Sequence, residues 1–397
     1  TGKFMRKILI IGASVLQLPA ILKAKEMGFY VGVVDLNPQA VGVKHADTFF
    51  NVSTIDTDGI MKVAETFQPL GIMTLATDMP MRSIAAVTKK LNLQGISMES
   101  AIKATDKGEM IRSFKEHGVD SPWFFILKSK DELDAISGNI TYPCIIKPVD
   151  NAGSRGVILV NKESELNDAF DYSRKNSRNG EVIIEEFMTG SEVSVEVMAI
   201  DGEIHILAIT DKITTGPPYF VEMGHSQPSQ LPETTQKRIK DLAVKAMQAL
   251  NINNGPAHVE IMATADGPKM IELGARMGGD NITTHLVPLS TGIDMVKATI
   301  EVCLGYRPDI SPRLKKASAI KYLDVAKGII TSISGVESAL SLKGVANVVI
   351  NKNIGEIVSD IKSSTDRVGY VIAQADKVSE AKNICSEAAK TIRINTI

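Results

Sequence analysis

The chain has 397 residues, more than one hydrophobic core usually serves, since cores stop growing near roughly 250–300 residues, so two or three domains are expected. With 44 basic against 46 acidic residues and a formal net charge of −2, it lacks the positive field that would hold nucleic acid. Cys144, Cys303 and Cys385 lie far apart without ligand spacing, which argues against a zinc site or disulfide framework and suits a reducing, cytoplasmic setting.

Met5 reads as the natural start, with Thr1 to Phe4 as an added extension. The segment "MRKILIIGASVLQLPAIL" has the basic end and apolar stretch of a signal peptide. Gly12, Gln17 and Pro19 interrupt it, however, and a strand, a turn and a helix fit better. No run of about 18 apolar residues follows anywhere, so no membrane span is expected.

From residue 5 to 95, strand-like and helix-like pieces alternate: "KILIIG", "LPAILKAKEMG", "YVGVVD", "TDGIMKVAETFQ", "GIMTLAT" and "MRSIAAVTKKLN". That rhythm predicts a Rossmann-like parallel sheet wrapped by helices. Asp35 closes the second strand at the distance from Gly12 where a ribose-binding acid stands in dinucleotide folds, but "GASVLQ" lacks the second and third glycines of that fingerprint. A structural α/β domain is the better reading, with a nicotinamide-dependent oxidoreductase as the weaker one.

A second unit begins near "SMESAIKATDKGEMIRSFKEHGVDSP", where Thr105 or Asp106 can cap a helix that Gly118 ends. In "PCIIKPVDNAGSRGVILV", Lys147 closes an apolar run before a loop of small residues. A buried ammonium needs an anion, and such a loop can wrap its amides around phosphate oxygens. The order is not that of a Walker loop, and a structural hairpin remains an alternative. "VIIEEFMTGSE" follows as a strand end rich in acids, and Asp201-Gly202 marks a hairpin turn.

The sharper signal is "HVEIMATADGPKMIEL". A turn near Asp266 sets Glu260 and Glu272 opposite each other on one face of a hairpin, while alternation sends Val259, Ile261, Ile271 and Leu273 to the other. Opposed like charges destabilise a hairpin unless a cation sits between them, and Mg²⁺ completed by phosphate oxygens and water would resolve the conflict. A solvated acidic face is the alternative. In "GARMGGD" small neighbours leave Arg276 uncrowded, free to fork onto a phosphate or carboxylate. After "YRPDISPR" a last piece of short strands and helices predicts a small α+β domain.

These segments, in this order, resemble the ATP-grasp superfamily, and closely its carboxylate–amine/thiol ligase branch, from Met5 to about Pro308. The resemblance implies a multidomain α/β and α+β protein: a pre-ATP-grasp Rossmann-like domain over 5–95, an ATP-grasp domain over 96–308 with a lid subdomain over about 125–190, and a C-terminal α+β domain over 309–397. It implies that Lys107 and Lys147 contact phosphates, with the loop Ala152–Val157, including Ser154 and Gly156, closing over them. Glu185 with the backbone of Glu186 and Met188 would take the adenine, and Glu192 the ribose. Glu260 and Glu272 would bind Mg²⁺, for which Mn²⁺ could substitute, with Arg276 at the transferring phosphoryl group and Lys212 and His225 orienting substrate or phosphate.

Gly274 stands where the family commonly has an asparagine, so coordination would rest on the two glutamates, water and substrate, or borrow Asn281. The activity implied is ATP-dependent joining of a small carboxylate to an amine through an acyl phosphate, with an amino-acid ligase foremost. A purine-biosynthesis ligase of the phosphoribosylglycinamide synthetase or imidazole ribonucleotide carboxylase type is the second enzyme reading, and a nucleotide-binding module without turnover is the reading of another class. Neither the substrates nor the oligomeric state is legible, although a homodimer is compatible.

Overall fold

The structure, a computed structural model, describes residues 5–151 and 155–397. Strands Lys7–Ile11, Tyr30–Asp35, Thr48–Asn51 and Gly71–Met73 form a parallel sheet in the order third, second, first, fourth. Ile8 to Ile11 are wholly buried because helices cover both faces, as expected for a parallel sheet. Asp35 accepts the amides of Ala13 and Asn37, each at 2.8 Å, so its carboxylate ties down the loop after the first strand.

Helix Lys107–Glu116 begins at Asp106, whose carboxylate accepts the Glu109 amide. Beyond it, Phe124–Leu127, Val182–Glu186, Cys144–Pro148 and Ile158–Val160 make a four-stranded antiparallel sheet. Cys144 and Ile146 pack against Phe170, and alternation therefore turns Ile145 and Lys147 to the opposite face.

The largest sheet has eight antiparallel strands, in the order Gly267–Gly274, Gly255–Thr264, Ser191–Ile200, Glu203–Thr214, Glu222–Gln227, Ala317–Tyr322, Gly369–Ala375 and Val345–Ile350. On one face Val193, Val195, Val197, Val259, Ile261 and Leu273 share a core with helix Glu233–Ala249. Burial of each such side chain is worth about 1.5–3 kcal/mol, enough to lock the register. Every second residue between them then points the other way: Glu192, Ser194 and Glu196 on one strand face the same side as His258 and Glu260 on the next.

The residues from 309 onward form a three-stranded sheet of Ile357–Val358, Gly328–Ser334 and Arg393–Thr396, and they also extend the central sheet, where Ala317–Tyr322 pairs with Glu222–Gln227. A bulge between Glu260 and Ile261 also places Met270 opposite Ile261, so Ile271 leaves the apolar side and lines the cleft described below. Among the described residues no helix is long and apolar enough to cross a membrane.

Candidate active site

Between the four-stranded sheet and the polar face of the eight-stranded sheet lies a cleft with about 1500 Å³ of open space. Ile145, Lys147, Val157, Glu185 and Glu186 line it from the smaller sheet. Glu192, Lys212, Glu222, His225, His258, Glu260 and Glu272 line it from the larger, and Lys107 and Arg276 stand at its edge.

Glu260 and Glu272 are direct partners in the hairpin ladder, as the sequence pattern requires. Glu260 Oε1 lies 2.7 Å from Lys212 Nζ and Glu272 Oε2 lies 3.4 Å from Lys107 Nζ. Among the described residues the other oxygen of each carboxylate has no hydrogen-bond partner. Burial pushes the Glu260 pKa up, but Lys212 and His258 outweigh it and hold it at about 2. Two opposed ionised carboxylates with unspent oxygens fit a hard divalent cation that draws its remaining ligands from phosphate and water. No described group of three or more His, Cys, Asp or Glu offers a closed cage.

Lys212 is the most enclosed cation of the cleft, its side chain 3 % exposed. Its ammonium is 2.7 Å from both Glu192 and Glu260 and 3.7 Å from Glu222. Burial alone would favour loss of its proton, yet these three carboxylates raise its pKa well above the ordinary lysine value. Lys147 meets Glu185 at 2.5 Å inside the smaller sheet, and it too is held charged against burial by Glu185 and Glu272.

Arg276, half-buried, lies 3.2 Å from Asp78, which reaches across from the N-terminal parallel-sheet unit. Gly274 has a steric reason: a Cβ there would stand 2.8 Å from the Arg276 guanidinium carbon. Asn281 does not line the cleft; its Oδ1 faces the Tyr370 hydroxyl at 3.5 Å. It therefore stands apart from the carboxylate pair.

Glu186 and Met188 sit at the mouth beside Phe187 and Phe220, whose ring centroids are 6.2 Å apart. The Glu186 carboxylate pairs with Lys269 at 3.2 Å, and its amide donates to the Trp123 carbonyl. Gly156 adopts φ +76°, against Pro148 and Asn176, and its carbonyl accepts the Ser173 hydroxyl. Ser154 lies outside the described residues, and Arg155 is exposed.

Four cleft neighbours went unrecognised in the sequence: Asp78, Glu222, Asp280 and Arg367. Glu222 and Asp280 carried a usable signal, since both follow or precede named site residues on the same element. Asp78 and Arg367 carried none, being separated from the cleft by 198 and 87 residues from the partners they meet, Arg276 and Asp280.

Residues 140–285 match a protein family described as an ATP-grasp domain. The chain carries an ATP-grasp domain. Residues 321–396 match a second family, the L-amino acid ligase C-terminal domain 2. The chain is similar to alanine–anticapsin ligase of Bacillus subtilis, 28% identical over 323 residues that cover 75% of this chain and 67% of that one. Its fold is that of the L-amino acid ligase of Bacillus licheniformis, at a TM-score of 0.86 and 23% identity over 100% of both chains. It is equally shared with phosphoribosylglycinamide synthetase of Anaerococcus prevotii, at 0.82 and 22% over 99% of this chain and 100% of that one.

Proposed function

We propose that the protein is an ATP-dependent carboxylate–amine ligase that couples an amino acid to a second amine through an acyl phosphate, releasing ADP and phosphate. The observation that carries this reading is the opposition of Glu260 and Glu272 beside Arg276 in a cleft that also gathers Lys107, Lys147 and Lys212. Three lysines, an arginine and two carboxylates with unspent oxygens suit a polyphosphate–metal complex better than a neutral ligand. The amino-acid preference is supported by the second family match, whose residues include Arg367, a side chain that reaches the acceptor end of the cleft.

Under this reading Lys107 and Lys147 neutralise the phosphates, and the lost pairing of Lys147 with Glu185 is compensated by the nucleotide. The Phe187–Met188 segment and Ile145 cover the base, which is met by the Glu186 carbonyl and the Met188 amide, while Glu192 faces the ribose. Glu260 and Glu272 would hold Mg²⁺, which when bound would supply neutralisation of the polyphosphate charge. Arg276, kept in place by Asp78, steadies the γ-phosphoryl group as a carboxylate oxygen attacks it. Lys212 and His225 lie toward the acceptor.

Phosphate release from ATP, measured with pairs of amino acids, tests the proposal. ATP consumption that requires two substrates is the expected outcome. Tight nucleotide binding with no turnover on any pair would instead indicate a non-catalytic module. Phosphoribosylglycinamide synthesis uses the same chemistry with a different amine, so 5-phosphoribosylamine with glycine belongs in the same panel.

A further inference from the structure

At the acceptor end of the cleft, four strands and loops converge on one half-buried carboxylate. Asp280, in the loop after Gly267–Gly274, adopts a left-handed backbone with φ +55°. Its Oδ2 is 3.1 Å from His225 Nε2, and Arg367 forks onto both its oxygens at 2.7 and 3.2 Å. Arg367 is itself fixed by the Glu222 carbonyl at 3.0 Å and the Ser364 carbonyl at 3.1 Å, and its guanidinium stacks 3.7 Å from the Tyr322 ring centroid. Burial would raise the Asp280 pKa, but hydrogen bonds from His225 and Arg367 hold it far below the usual carboxylate range.

An ionised Asp280 can only accept, so His225 must present its hydrogen on Nε2. In the neutral ring the lone pair then falls on Nδ1, and Nδ1 is buried with no hydrogen-bond partner among the described residues. A polar atom so placed is costly unless something meets it. His225 is 3 % exposed and lines the cleft.

We propose that His225 Nδ1 receives the proton lost by the attacking amine, and that Arg367, acting through Asp280, is the positioning residue that fixes this tautomer. The step rests on the ligase reading above. The substrate ammonium gives one proton to Nδ1 and so exposes its lone pair; the nitrogen then bonds to the acyl carbon, the bond from that carbon to the phosphate oxygen breaks, and phosphate leaves with the electron pair and takes up the nitrogen's second proton. Because Arg367 lies in residues 321–396, the C-terminal part of the chain completes the acceptor side.

The charged and titratable groups around the imidazole are Asp280 from the loop, Glu222 on its own strand, Lys212 on the neighbouring strand, Tyr322 on the other neighbour, and Arg367. Replacing Asp280 by Asn removes the anion that faces Nε2 and makes the ring less basic than in the wild type. Replacing Arg367 by Met leaves that anion unshared and makes the ring more basic. A base works only when deprotonated, so the acidic limb of the amine-dependent rate moves to lower pH in Asp280→Asn and to higher pH in Arg367→Met.

The test compares wild type, Asp280→Asn, Arg367→Met and Arg367→Lys in two assays: transfer to an amino acid, and trapping of the acyl phosphate by hydroxylamine, which is uncharged at neutral pH and needs no base to expose its lone pair. Expected are a loss of roughly tenfold or more in amino-acid transfer in Arg367→Met, in line with general-base contributions of about 10²–10⁴. A smaller loss in hydroxamate formation, partial recovery with Arg367→Lys, and limb shifts of opposite sign complete the expectation. Equal losses in both assays with an unmoved limb would overturn the proposal and leave Arg367 a structural ion pair. Absence of hydroxamate in wild type with every carboxylate tried would instead refute the ligase reading beneath it.

Discussion

Lys212 and Glu260 meet at 2.7 Å across the polar face of the eight-stranded sheet, and Glu260 stands directly opposite Glu272 in the hairpin ladder. The ammonium thus partly neutralises a pair of carboxylates that would otherwise repel. The lysine offsets one of the two charges and so lowers the cost of opposing them.

If the two acids hold the metal, Glu272→Gln should lower metal-dependent turnover by roughly a hundredfold or more, the scale of several kcal/mol expected of Lewis-acid assistance. Saturation with Mn²⁺ should recover part of the loss. Steady-state rates across a titration of each metal check this, and turnover near wild type would sink the assignment.

Lys147 and Glu185 form a buried pair, so removing one partner strands the other. Lys147→Met should cost roughly 3–5 kcal/mol of stability as well as ATP affinity. Lys147→Met combined with Glu185→Gln should regain most of the stability while ATP binding stays weak. Denaturant unfolding paired with nucleotide-binding calorimetry separates the two effects.

Gly274 lies under the Arg276 guanidinium, at 2.8 Å from where a Cβ would stand. Gly274→Ala should push that guanidinium out of reach of Asp78 and reduce kcat, while ATP affinity changes less than twofold. Kinetics with ATP binding measured in parallel would expose the opposite pattern, a binding defect, if Arg276 served the nucleotide in its ground state.

The depressed pKa of Asp280 has a consequence for stability. A carboxylate whose folded pKa lies below its unfolded value stabilises fully above the unfolded pKa, near about 3.9, and loses that contribution as pH falls through the folded one. The stability gap between wild type and Asp280→Asn should therefore be widest near neutrality and begin to shrink below about pH 4. Urea denaturation at a series of pH values reads the gap.

The sequence made the hairpin acids legible because period-two alternation depends only on neighbours, and Val259 and Leu273 pin the register that sets Glu260 against Glu272. Ile271 escaped the same rule because a bulge inserts one residue, something no alternating pattern announces. The parallel sheet over the first 95 residues was readable from its strand–helix rhythm, yet the short strand Thr48–Asn51, with no fully buried residue, was not. Arg367 and Asp78 were invisible because their importance lies wholly in what packs beside them. Beyond the proline-rich stretch near 308, strand Ala317–Tyr322 joins the central sheet, a pairing that no local pattern announces.

The most direct test of the central claim is the fate of oxygen. With the substrate carboxylate labelled with ¹⁸O, attack on the γ-phosphate and later cleavage of the acyl carbon–oxygen bond must leave one labelled atom in inorganic phosphate for each amide formed. Mass spectrometry of the released phosphate should show that one-to-one transfer. Unlabelled phosphate, or label appearing in AMP alongside pyrophosphate, would contradict the acyl-phosphate route.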